Sequence, residues 1–206
     1  MKYLMVYSAL FLSIINASVS NTKRLNWIDP YGREPLSYMQ WTRQIIPETT
    51  TQITTLYKFR SSRQEDIVDI VVNAGLYTLI NTELDTFVQD LIAAGYGVQV
   101  DTITGMSHTQ LRSHLASIRD LAGAILVGET PVAWFETNGF GGWEEFPHDL
   151  YFCDLNGIYT DGDEDGIYDD HTGSVEPEIW IGRIYARNLT WDSEVSLVKN
   201  YFHKNH

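Results

Sequence analysis

Cysteine is almost missing from this sequence of 206 residues: Cys153 stands alone, so no intramolecular disulfide can form. Stability must then come from an apolar core and from any metal the chain holds. Positive charge is equally scarce in one long stretch. No lysine or arginine occurs between Arg119 and Arg183, and the formal net charge is −13. That balance excludes nucleic acid and anionic membrane surfaces as natural partners. Long apolar runs are absent beyond the first residues, which excludes a later membrane span. Internal repeats are missing too, as is low complexity outside one acidic segment.

The first apolar run reads as an export signal. Lys2 opens a weakly positive start, Leu4 to Ile15 form the apolar core, and Ser18 and Ser20 fit the small-residue cleavage positions. Residues 1–20 are therefore expected to be removed, giving a secreted, extracellular or bacterial cell-surface product with no membrane contact after cleavage.

The organising stretch is Asp161-Gly162-Asp163-Glu164-Asp165-Gly166-Ile167-Tyr168-Asp169-Asp170, in which six of ten residues are acidic. Crowded carboxylates repel one another unless a cation sits among them. The spacing puts Asp161, Asp163, Asp165 and Asp169 at the first, third, fifth and ninth positions of an EF-hand-style loop. Gly166 stands where the chain must turn sharply, and the Ile167 carbonyl can supply the seventh position. Thr172 replaces the bidentate glutamate expected at the twelfth. The flanks, Tyr151-Phe152 and Glu178-Ile179-Trp180-Ile181, look extended. The expectation is a Ca2+ loop set between strands, with ligands Asp161, Asp163, Asp165, Ile167 and Asp169; a solvated acidic turn is the plain alternative. So many carboxylates suit the larger, more flexible calcium ion better than magnesium.

Residues 21–65 carry turn signals at Asp29-Pro30-Tyr31-Gly32 and Ile46-Pro47, and a Thr-rich run from Thr49 to Thr55 that suits an edge strand or linker. They read as a lead-in that packs on the domain through Trp27 and Trp41. From residue 66 to residue 206 the pattern becomes regular. Ile67–Val72 is a buried strand ended by Asn73-Ala74-Gly75. Ile80, Leu84, Phe87, Val88, Leu91 and Ile92 recur at helical spacing, with Thr82 as N-cap and Gly95 as stop. Val98–Ile103 is a second strand, and Ser107 caps a helix with Leu111, Leu115 and Ile118 inside and Arg112 and Arg119 outside. Ala124–Gly128 is a third strand. This order predicts an α/β fold with a parallel sheet of βαβαβ type. Leu150–Cys153 and Pro177–Ile184 read as strands into and out of the acidic loop, and Asp192 starts a final amphipathic helix.

No catalytic set assembles from these residues. Cys153 and His148 would lie apart on an extended chain, His148 is satisfied by Asp149, and His108 and His114 are spaced as surface histidines. His171 can hydrogen-bond across the acidic loop. Gly139-Phe140-Gly141-Gly142 opens no helix and makes a poor phosphate cradle. Arg183, the first cation after the acidic stretch, is expected to pair with one of its carboxylates. The aromatic loop with Trp134, Trp143 and Phe146 is a candidate contact surface, and Asn188-Leu189-Thr190 is a glycosylation sequon.

Gly123-Ala124-Ile125-Leu126-Val127-Gly128-Glu129, Asp149-Leu150-Tyr151, the acidic loop and Glu178-Ile179-Trp180-Ile181-Gly182-Arg183 together resemble the amino-terminal half of gingipain-type cysteine peptidases. These are secreted bacterial enzymes with a caspase-like fold, and many carry an aspartate-rich loop before a Gly-Arg strand. The family usually has aspartate where Glu129 stands. The resemblance spans Asp66 to His206 and implies an amino-terminal subdomain that supports a catalytic one. The family's catalytic His and Cys, and with them its contacts to a protein or peptide substrate, belong to the subdomain after the Gly-Arg strand and its helix. No position here matches them, so this chain alone is expected to be inactive. The alternative is a secreted, non-catalytic calcium-binding interaction module.

Overall fold

The computed structural model describes residues 31–34, 36–44, 50–60, 66–139 and 142–206. The expected signal segment, Trp27, Ile46-Pro47 and Phe140-Gly141 lie outside them. In chain order the elements are α1 (Tyr38–Thr42), β1 (Gln52–Phe59), β2 (Ile67–Asn73), α2 (Ala74–Ala93), β3 (Gly97–Thr104) and α3 (His108–Ser117). There follow β4 (Leu121–Val127), β5 (Trp134–Thr137), β6 (Glu144–Pro147), α4 (Leu150–Cys153), β7 (Ile158–Thr160), β8 (Asp170–Thr172), β9 (Trp180–Ile184) and α5 (Glu194–Lys204).

A mixed α/β architecture results, with a five-stranded sheet in the order β1-β3-β2-β4-β9. The strands β3, β2, β4 and β9 run parallel, and only β1 is antiparallel to its neighbour β3. The Thr-rich segment therefore contributes an edge strand, with a register shift between Thr55 and Tyr57. Charged and polar side chains on this mostly exposed strand discourage further pairing.

The period-two alternation of β2 divides the core. Val68, Ile70 and Val72 face α2 and α5, where Ile80, Leu84, Val88, Val198 and Phe202 meet them. Val71 faces the other way, into a cluster with Ile103, Leu111, Leu115, Leu126, Tyr151 and Phe152. Strands buried on both faces explain the nearly continuous apolar runs.

Three local expectations need correction. Helix α2 begins at Ala74, not near Thr82, because Asn73 Oδ1 accepts the N–H groups of Gly75 and Leu76 at 3.0 and 3.2 Å. An asparagine at the strand end thus starts the helix with no intervening turn. Leu150–Cys153 is a helical turn, not a strand; it buries Tyr151 and Phe152 against the α3 face of the sheet. Arg112 does not face outward. It donates to the carbonyls of Asp154 (3.1 and 2.6 Å) and Gly157 (2.8 Å), and its guanidinium lies over the ring of Tyr151. The Ser107 cap, with Gln110 completing a capping box, and Gly95 at a left-handed φ of 102° both stand where the sequence puts them.

At the far edge, β9 pairs only with β4, and the ring of Trp180 lies over Gly123. A Cβ on Gly123 would come within 2.1 Å of that ring. Gly123→Ala is expected to lower stability by about 1–3 kcal/mol, the range for overpacking. Removing the ring in Gly123→Ala/Trp180→Ala should return most of that loss, as a double-mutant cycle by urea denaturation would measure. Additive losses would show that the ring does not pack there.

Candidate metal centre

The acidic stretch connects the two strands of a small hairpin, β7 and β8, in which Tyr159 pairs with His171. The backbone turns the carboxylates inward. Asp161 accepts N–H groups from Asp165 (3.2 Å) and Gly166 (2.9 Å), Asp165 accepts from Ile167 (2.9 Å), and Asp169 accepts from Gly162 (2.9 Å). Gly166 has φ 95°, a conformation that glycine tolerates freely, and a Cβ there would meet the Tyr38 hydroxyl. The loop is closed by the Asp169 N–H donating to the Thr160 carbonyl at 2.9 Å.

Of the five expected ligands, the four aspartates fall into two groups that share Asp163. Asp161, Asp163 and Asp165 bring carboxylate oxygens within 4.8 Å of one another, and Asp163 and Asp169 form a second such group. Ile167 sits between them in sequence with its side chain buried. The third member of that second group is Glu136, from β5, which the sequence reading missed. Two backbone bonds explain its arrival: the Glu136 N–H donates to the Tyr168 carbonyl at 2.8 Å, and the Tyr168 N–H to that of Trp134 at 2.9 Å. They stitch the loop's exit to β5 and aim the next side chain at the aspartates. Its only sequence signal was an acidic residue on the buried side of an alternating strand.

Glu136 is 6% exposed, and its one described donor is the Trp143 indole at 3.0 Å. Burial, followed by the fields of Asp165, Asp163 and Asp169, raises its pKa above the ordinary glutamate value. The Tyr38 phenol is raised likewise, by burial and then by Asp165 and Asp161. Two like charges 4–5 Å apart repel by about 1 kcal/mol even at water's dielectric constant.

Arg183 does not supply the missing positive charge. It binds Asp149 at 2.7 and 3.1 Å, the Thr130 hydroxyl at 2.5 Å and the Pro131 carbonyl at 3.0 Å. Among the described residues no lysine or arginine forms an ion pair with the loop carboxylates. His171 also turns away from them, stacking on Tyr159 and bonding the buried Asp154 at 2.6 Å.

The remaining histidines correct the sequence reading. His148 is not satisfied by Asp149; it lies among Phe135, Phe146 and Tyr159, its Nε2 has no partner, and burial lowers its pKa. Burial raises the Cys153 thiol, so this pair is not primed as base and nucleophile. Trp134 is buried against Tyr38 and Trp41, leaving Trp143 as the exposed aromatic of its loop. His108 meets the Tyr168 hydroxyl at 3.0 Å. His114 is no surface group: its Nε2 is 2.7 Å from Asp101 and 3.3 Å from Asp69, both fully buried. These three form a further group able to hold a divalent metal. Burial pushes Asp69 up to about 6, while Asp101 and Asp69 lift His114 to about 9 against the effect of its own burial.

No family model, curated protein or solved structure matches this chain. Its Asp, Glu and His groups can coordinate a divalent cation, and no helix among the described residues is long and apolar enough to cross a membrane.

Replacing Glu136 by glutamine keeps an acceptor for Trp143 and removes one negative charge. With divalent ions chelated, Glu136→Gln is expected to melt higher than the wild type, by a stability gain of about 1 kcal/mol. A lower melting temperature in calorimetry would show that Glu136 is not repelled by the loop.

Proposed function

We propose that this chain is a non-catalytic, calcium-stabilised interaction module. The observation that carries this reading is a pair of three-carboxylate groups, Asp161, Asp163 and Asp165 and Glu136, Asp163 and Asp169, that share Asp163 and have no described cationic side chain paired to them. Hard oxygen donors in a flexible loop suit calcium, which takes six to eight oxygens. Glu136 supplies, from outside the loop, a carboxylate like the one that Thr172 does not provide. Fit is supported by the donor set and by Glu136 itself, a buried carboxylate with a single neutral donor.

When bound, calcium would neutralise the aspartates and pin the hairpin to β5. Trp143, 63% exposed, would then stand on a fixed support through its bond to Glu136. An exposed indole held this way suits a contact surface for a protein or peptide partner. The loop would order the surface, and the aromatic would make the contact.

A second reading has one observation in its favour. The outer edge of β9, which has no strand partner among the described residues and carries Trp180 44% exposed, offers a place for a further strand or subdomain. That is what a gingipain-like cysteine peptidase subdomain would need beside it. In that reading too, the present residues would act as support; peptide hydrolysis that disappears in Cys153→Ala would overturn the absence of a catalytic pair here.

Calcium at about a hundred times its dissociation constant is expected to stabilise the fold by about 2.7 kcal/mol. The rise in melting temperature should reverse with chelator and vanish in Asp163→Ala, since Asp163 belongs to both carboxylate groups of the loop. Identical melting curves with calcium and with chelator would reduce the loop to a solvated acidic turn.

A further inference from the structure

The α3 face of the sheet is apolar except at one corner. There Asp69 on β2, Gln99 and Asp101 on β3, and His114 on α3 meet between otherwise hydrophobic layers. Both aspartates are 0% exposed, and the His114 side chain, at 16%, marks the only partly open side. The alternation that buries Val71 and Ile103 on this face buries Asp69 and Asp101 with them.

The donors in this corner do not suffice. Gln99 Nε2 donates to Asp101 Oδ2 at 2.7 Å, and His114 Nε2 reaches the same oxygen at 2.7 Å. Neither oxygen of Asp69 receives a hydrogen bond from a described group, and Asp101 Oδ1 and Gln99 Oε1 have none either. His114 Nε2 lies 3.3 Å from Asp69 Oδ2, but a single ring nitrogen carries at most one proton to share between two carboxylates. With both aspartates ionised, a protonated imidazole would still leave the corner with a net negative charge. A divalent cation with a neutral imidazole and two carboxylates would leave none.

We propose that Asp69, Asp101 and His114 bind one first-row divalent cation, best matched by zinc. The chemistry decides the ion: an imidazole nitrogen with two carboxylates is a zinc-type donor set, whereas calcium avoids nitrogen. Tetrahedral zinc at about 2.0 Å from each donor separates donors by about 3.3 Å. The Asp69–His114 spacing of 3.3 Å already has that value, and the Asp101–His114 spacing of 2.7 Å needs only a small opening. Gln99 donates to the same Asp101 oxygen that faces His114 and so fixes its position, as outer-shell groups do. Water at the open side beside His114 completes the coordination. The ion ties α3 to β2 and β3 and shares no ligand with the acidic loop.

The test uses the full chain, stripped with chelator and then saturated with calcium so that the loop is occupied. Calorimetric titration with zinc chloride is expected to give one site per chain, and cobalt chloride the visible absorption of tetrahedral cobalt. His114→Ala and Asp69→Asn should each weaken zinc binding at least about tenfold. Asp69→Asn also removes a bare buried carboxylate, so the metal-free variant should melt no lower than the wild type, and it keeps the test informative if His114→Ala fails to fold. Asp163→Ala should leave zinc binding unchanged. No zinc uptake under calcium saturation overturns the site and leaves protons to balance the charge of the corner. Binding that survives Asp69→Asn but is lost in Asp163→Ala overturns it as well, by assigning the zinc to the loop.

Discussion

Negative charge held together by backbone geometry, with its natural counter-charges engaged elsewhere, governs this structure. In the acidic hairpin the loop's own N–H groups hold Asp161, Asp165 and Asp169, while Asp163 and Asp165 stay open to solvent. Repulsion of this kind is tolerable on an open surface, where water and salt screen it. It is less so where Glu136 joins from a buried strand. A loop ordered in this way would gain more from a cation than a disordered run of the same residues, because less order would have to be imposed on binding.

The arginines show how deliberate the imbalance is in physical terms. Arg112 and Arg183 flank the same half of the fold and would be the obvious neutralisers. Each is committed instead to an architectural task. Arg112 collects the carbonyls of Asp154 and Gly157 that no strand partner takes, and Arg183 clamps Asp149, Thr130 and Pro131 beside the end of β4. Buried backbone carbonyls need donors as much as carboxylates need cations. Satisfying the first with the scarce guanidinium groups leaves the second for an external ion.

Much of this was legible in the sequence. The apolar runs at Ile67–Val72 and Val98–Ile103, the Ser107 cap and the Gly95 stop carry strong local signals, because burial on both sheet faces and left-handed backbone each restrict residue choice. The spacing of the four aspartates was enough to place them on one tight loop; their role as ligands belongs to the proposal. Glu136 was not legible, because its role depends on a bridge between β5 and Tyr168 that has no sequence signature. Leu150–Cys153 misled because four apolar residues suit a strand or a helical turn equally, and tertiary packing decided between them. His114 misled for another reason: spacing along α3 says nothing about which carboxylates the sheet presents beneath it.

Helix α3 touches one carboxylate cluster directly and reaches the loop that carries the other through Tyr168. His108 at its start bonds the Tyr168 hydroxyl, one residue from Asp169, and His114 two turns later meets Asp69 and Asp101. Contiguity is not coupling, however; two sites influence one another only through an element with two arrangements that each site biases differently. The capping box at Ser107 and the fully buried Leu111 and Leu115 hold α3 in one position on the sheet. A close-packed interior resists small graded shifts. The two clusters also differ in their donors, all oxygen on one side and a nitrogen with oxygens on the other. A helix held in this way gives no two-arrangement element through which filling one cluster would reshape the other.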